Sequence, residues 1–486
     1  MTAAPRPTTP DPPAEDYQPD PRRWRALGVS LAAGFMGLLD ITIVAVALPS
    51  IGTTLGATPA EAQWVASGYA LTFGLSLVPA GRAGDAWGRR RMFCVSLAGF
   101  VLTSALCGAA PNLATLVAAR LAQGFTSGML GPQNSGLIQD LFRGAERGRA
   151  FGLFGAVLGV STAIGPVIGG LILAAFDEST GWRWIFLVNV PIGLLTLALA
   201  PRLLPGRPAD VVRDPTPMWR RMDLFGGTLL GAGVLALMFP LLEHDRFDRW
   251  WWLLPVAAAL LLGFARWELR LSRRGVDPPM LEPRLFTDTP GYTFGAVLGL
   301  AFFIGFSGIW LVLAFFFQDG LSYTPLHSGL AVTTFAVGSA LSAMVSGRLL
   351  ARMGRRLTVH GLVAMVVGLL GAAVALAVQT GPAAALWAAA PLALAGIGCG
   401  LVISPNITLT LSQVPVRMAG AAGGALQTSQ RVGSAIGTAL LAAVYYVALD
   451  LYGNRPGLAI LCALLCATAF VLVALVMAVL ELRRER

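Results

Sequence analysis

Asp40 is the one carboxylate, among 25 in the chain, that our span assignment leaves deep inside an apolar stretch. Glu61, Asp223, Glu243, Asp450 and Glu481 fall near the ends of such stretches. An ionisable group at mid-depth in a membrane is costly, and by default it marks a functional site. Arg120 lies inside another apolar stretch and needs a partner or a water-filled cavity for the same reason. Burial opposes the charge of Asp40, while a nearby arginine supports it, and that opposition is what a proton switch requires. Two readings follow. Asp40 takes a proton when a cavity faces outward, loses it inward, and binds cargo or Arg120 in alternation. Alternatively, Asp40 and Arg120 form a fixed pair that ties two helices together.

Other chemistries are poorly served. No G-x-x-x-x-G-K-[ST] loop exists, and none can, because all 35 basic residues are arginine. Three histidines and five cysteines (Cys94, Cys107, Cys399, Cys462, Cys466) show no metal-ligand spacing, and the cysteines sit in apolar runs as small core residues. We expect no enzyme activity, no metal and no cofactor, with the proton gradient as the driving force.

The elements that must position Asp40 are membrane helices. Hydrophobic residues make up 56% of the chain, charged residues 12%, and the mean hydropathy is +0.70. Lipid leaves backbone polar groups no partner but each other, so stretches of this kind cross as helices. Spans are expected at 26–50, 62–81, 92–110, 112–133, 150–174, 184–204, 223–242, 250–267, 291–316, 326–347, 357–378, 383–405, 425–449 and 457–481. The arginines crowd into alternate connecting segments, so the net charge of +10 reads as a topology signal with both termini cytoplasmic, not as a nucleic-acid footprint. Residues 1–25 form a proline-rich tail expected to be disordered and cytoplasmic.

Gly81 to Arg90 is echoed by Gly347 to Arg356, each after the second helix of a six-helix set. The echo implies an N-terminal bundle over 26–204 and a C-terminal bundle over 291–481. Linkers with two inserted helices lie between them over 205–290, and 482–486 is a short tail. Paired six-helix halves place a cargo site between them near the midplane.

Several motifs carry a family resemblance. Leu39 to Pro49 in helix 1, Gly81 to Arg91 after helix 2, Arg120-Leu121-Ala122-Gln123-Gly124 in helix 4, and the run from Gly152 to Gly170 in helix 5 all contribute. Together they resemble the major facilitator superfamily, specifically its fourteen-helix drug:proton antiporter branch. The chain departs from the branch pattern at Ala45, at Ser161 where a glycine is usual, and at Arg431, one residue later than in relatives. The resemblance implies an all-α membrane fold of two six-helix bundles plus two extra helices.

It also implies roles. Asp40 and Arg120 would couple protons. Gly81, Asp85, Gly88 and Arg89 would form a latch between the halves, with simple positive-inside anchoring as the alternative, favoured for Arg90 and Arg91. Gly152, Ser161, Gly165, Pro166, Gly169 and Gly170 would form the antiporter helix. Trp64, Gln123, Asn134, Phe302, Trp310 and Gln318 are candidates for the cargo cavity.

The expected activity is proton-coupled export of hydrophobic, often cationic, small molecules by a monomer in the bacterial inner membrane. The expected contacts are cargo, protons and lipid, with no nucleic acid. An exporter or flippase of an endogenous lipid or secondary metabolite is the alternative.

Overall fold

The computed structural model describes residues 20–142, 144–176, 179–206, 223–242, 247–274, 279, 282–379, 381–414 and 419–484. Most of the tail expected at 1–25 and the linker around 207–222 lie outside this set. Among the described residues every regular element is helical. The first half comprises α1 (Arg23–Leu55), α2 (Pro59–Trp87), α3 (Arg89–Gly108), α4 (Leu113–Leu141), α5 (Gly144–Ala175) and α6 (Gly181–Leu203). Then come α7 (Leu224–Leu242) and α8 (Leu253–Arg274). The second half comprises α9 (Tyr292–Gly320), α10 (Pro325–Met353), α11 (Arg355–Val378), α12 (Ala384–Ser412), α13 (Ala419–Leu451) and α14 (Pro456–Arg484).

Among the described residues, ten of these helices are long and apolar enough to cross a membrane, and α2, α4, α5 and α8 are not among them. For α2 and α4 the cause is visible. Gln63, Ser67 and Ser76 on α2, and Arg120, Gln123, Gln133 and Asn134 on α4, are all buried, so their polarity turns into the bundle instead of toward lipid.

The motif expected to form a loop after the second span is mostly helix. A capping box between Thr58 and Glu61 starts α2 before residue 62, and the helix runs on through Trp87. Gly88, at φ 97°, makes the turn, and Arg89 opens α3. Gly354, at φ 53°, does the same between α10 and α11, so the sequence echo is also a backbone echo. Only glycine adopts such angles without strain.

Several rods are broken where the chain lacks a regular hydrogen bond. The α6 rod breaks at Val188, just before Pro191. The α9 rod breaks at Gly308 and ends in a π-helical turn over Phe316–Gly320. At the base of the first half, Arg23 on α1 holds Glu146 on the first turn of α5 at 3.1 Å, and this hydrogen bond keeps the Glu146 carboxyl below its usual range.

The two halves meet along three seams: α2 against α13, α5 against α10, and α1 against α9. The inserted helices α7 and α8 pair with each other, and α7 leans on both α2 and α13. They therefore flank the α2–α13 seam and leave the other two uncovered.

Candidate functional site

Asp40 lies fully buried inside the first half and accepts hydrogen bonds from three side chains on two helices, α4 and α6. Arg120 Nη1 on α4 donates to Oδ2. Gln123 Nε2, one turn along α4, donates to Oδ1 at 3.1 Å, and Asn189 Nδ2 on α6 donates to the same oxygen at 3.0 Å. Arg120 is equally enclosed. Its Nε donates to the Val65 carbonyl at 2.8 Å, Nη1 donates to Gln123 Oε1 at 2.7 Å, and its guanidinium lies 4.1 Å from the centroid of the Tyr69 ring. Tyr69 in turn donates to Ser127 Oγ at 2.7 Å. Gln123 also donates to Ser104 Oγ on α3 at 2.8 Å. A buried carboxylate needs a paired charge and filled acceptor sites, and this one has both.

A narrow gap between the halves, about 10 Å³ and so room for a single water, is a separate place, called the cleft below. Thr42, Ala45 and Val46 of α1, Pro166 of α5, Trp310 and Ala314 of α9, and Ser328 and Val332 of α10 line it. Trp310 stacks edge-on against Phe335, and Phe302 is buried in the aromatic column beside them with Phe306. Gln318 Nε2 donates across the seam to the Val46 carbonyl at 3.1 Å. Glycines on α5 set the seam spacing: a side chain at Gly169 would meet Ile43 of α1, and one at Gly170 would meet the backbone of Pro325 and Leu326 on α10. Gly165 faces Thr42, and the Pro166 carbonyl faces Gly329 of α10. The antiporter segment is thus a flat strip lying between α1 and α10, and close backbone approach is what small residues provide.

A model of the Major Facilitator Superfamily matches residues 30–438. The chain belongs to the major facilitator superfamily. It is therefore a multi-pass membrane transporter and not an enzyme. The "Probable actinorhodin transporter" of Streptomyces coelicolor is 36% identical over 442 residues, covering 90% of this chain and 75% of that protein. A puromycin resistance protein of Streptomyces alboniger is 38% identical over 440 residues, covering 87% and 82%. Among solved structures, a D-xylose-proton symporter superposes with a TM-score of 0.64 at 15% identity, covering 93% of this chain and 97% of that one, which shows the shared fold.

Within this superfamily fold, the structure brings together Asp40, Arg120 and Gln123, so Gln123 belongs to the charge network and not to the cleft. Asn134 also stays in the first half, accepting from Ser30 Oγ at 2.9 Å. Trp64 packs on Phe239 of α7, because the inserted helices cover that face of α2. Of the six cavity candidates, Trp310 lines the cleft, Gln318 bridges its seam, and Phe302 supports its aromatic wall. The expected alternation of Asp40 between cargo and Arg120 needs a carboxylate at the cleft, whereas α1 turns Asp40 inward and Thr42, Ala45 and Val46 outward.

A Cβ at Gly81 would lie 3.5 Å from Pro132 of α4, and Arg89 pairs with Asp140 of α4 at 3.3 Å. The side chain of Asp85, and the surroundings of Gly152, lie outside the described set. Ser161 is buried. Two features escaped sequence reading. Nothing in the sequence around Asn189 signals that it reaches Asp40. Arg355, the repeat counterpart of Arg89, is buried and donates to Glu481 of α14 and, at 2.9 Å, to Asn406 Oδ1 of α12. The echo of Gly88-Arg89 in Gly354-Arg355 was the available signal.

Proposed function

We propose that the chain is a proton-coupled antiporter that exports lipophilic small molecules, drugs among them, by alternating access. The observation that carries this reading is the sealed Asp40–Arg120 pair, a carboxylate and a cation at mid-depth whose union depends on the charge of Asp40. Protonation removes that charge, frees Arg120 to seek another acceptor, and loosens α1 from α4 and α6. Because α1 also forms the cleft wall and abuts α5 and α9, a shift of α1 reaches the α1–α9 and α5–α10 seams. The relatives named for transport of, or resistance to, antibiotics support a drug-like cargo and outward movement.

In this reading all fourteen long helices cross the inner membrane of a bacterium, both termini are cytoplasmic, and the unit is a monomer without a cofactor. The end of the bundle that holds Gln318, Gly170 and Leu326 then faces outward and is closed, while the cytoplasmic side is the one that opens. The latch roles of Gly81, Asp85, Gly88 and Arg89 belong to the same proposal. Export of a secondary metabolite is the second reading, favoured by the relative named for actinorhodin transport.

The test is accumulation of a fluorescent lipophilic compound in cells expressing the wild type or Asp40→Asn, with and without a collapsed proton gradient. Wild-type cells should exclude the compound only while the gradient stands, and the variant should fill like empty-vector cells. Equal exclusion by both would overturn the role of Asp40.

A further inference from the structure

Sealing Asp40 inside the first half changes which charge the cargo meets. Expecting cationic cargo required that carboxylate at the cavity surface, yet three side chains of the first half cover it. A different charge stands between the halves. Arg431 on α13 crosses the α2 seam, with its Cβ packed toward Gly74, and sets its guanidinium 4.5 Å from the centroid of the Phe73 ring. Unlike Arg120, it stays partly exposed, and among the described residues it meets no carboxylate and no hydrogen-bond acceptor. A guanidinium carries five N–H donors in a planar fork suited to a carboxylate or phenolate, and a ring face engages none of them fully.

The neighbouring side chains extend this into a surface. Gln427, one turn earlier on α13, is also partly exposed and looks across the seam at Gly131 of α4. Thr428 Oγ1 donates to the Gly74 carbonyl at 3.4 Å, fixing the height of α13 on α2. Phe73 and Tyr69 give α2 an aromatic face on the opposite side, with Ile41 of α1 beside them. Neighbouring residues on α13 point about 100° apart around the helix. Arg431 therefore sets its cation onto Phe73, while Gln430 points back toward Gly299 of α9.

We propose that Arg431 and Gln427, facing Phe73, form a cargo subsite that selects lipophilic aromatic molecules bearing an acidic group over lipophilic cations. The proposal deepens the export reading and rests on it for direction of movement, but its charge preference is a property of binding alone.

The test uses two probes with the same ring system, 1-pyrenebutyrate and a 1-pyrenebutylammonium salt, with the full chain in nanodiscs and protein-free nanodiscs as the partition blank. Tryptophan-to-pyrene energy transfer reads affinity. The anion should bind about tenfold more tightly than the cation. Arg431→Gln should erase that preference by weakening the anion alone, and Arg431→Lys should retain most of it. Equal or tighter binding of the cation, or an Arg431→Gln variant that weakens both probes alike, would overturn the proposal. Proton-driven movement of pyrenebutyrate in proteoliposomes reads the export function separately: an anion bound selectively but never moved would defeat the antiport reading and leave the subsite standing.

Discussion

Asn189 Nδ2 on α6 and Gln123 Nε2 on α4 both donate to Asp40 Oδ1, so one carboxylate oxygen joins three helices of the first half. Replacing Asn189 by leucine takes one donor from a buried charge, which costs about 1–3 kcal/mol. Denaturant or thermal unfolding of the purified variant should show that loss. Gradient-driven transport should fall more than cargo binding, because the cleft does not include Asn189. Unchanged stability and transport would mean that α6 contributes nothing to holding Asp40.

Arg355 and Glu481 form another buried ion pair, tying α11 to α14 with Asn406 as a third member. Glu481→Gln leaves the guanidinium buried without a countercharge, and removing one partner of such a pair costs about 3–5 kcal/mol. The double variant Arg355→Met, Glu481→Leu should recover most of the stability, since it removes both charges and fills the space. A thermal midpoint measured for both forms checks this; a double variant as unstable as the single one would contradict it.

Gly329 lies against the backbone of Pro166, and a Cβ there would come within 3.0 Å of the Pro166 carbonyl carbon. Backbone on both sides leaves nothing flexible to yield. Gly329→Val should keep the α5–α10 seam from closing, abolish transport, and increase labelling of a Val46→Cys reporter by an impermeant thiol reagent applied outside. The reporter needs a background without the five native cysteines. Labelling equal to that of the unsubstituted reporter would place the gate elsewhere.

Gln318→Ala removes the hydrogen bond to the Val46 carbonyl, a contact made between halves. A net contribution of about 1 kcal/mol corresponds to a several-fold shift in the balance of outward- and inward-open forms. The same Val46→Cys reporter should label several-fold faster, with folding unaffected. No change in labelling would show that this bond does not bias the gate.

The apolar runs made the helices legible, and the Gly88 and Gly354 turns were visible as a repeat because only glycine serves there. Asp40 and Arg120 could be paired from sequence because each is too costly in lipid to stand alone. Side-chain direction was not legible. Whether α1 turns Asp40 or Thr42 toward the cleft is a rotation about the helix axis, and apolar residues cover every face of α1. Trp64 was misplaced for a related reason: the docking of α7 on α2 leaves no trace in the periodicity of either helix. Asn189 reaches Asp40 across 149 positions of chain, a contact that packing alone creates.

The central claim is that the charge of Asp40 gates movement without itself forming the cargo site. Proteoliposomes holding the wild type or Asp40→Asn separate the two, using cargo counterflow with no pH gradient and uphill transport with one. The account predicts that Asp40→Asn retains counterflow and loses uphill transport. Uphill transport at the wild-type rate in Asp40→Asn would contradict it.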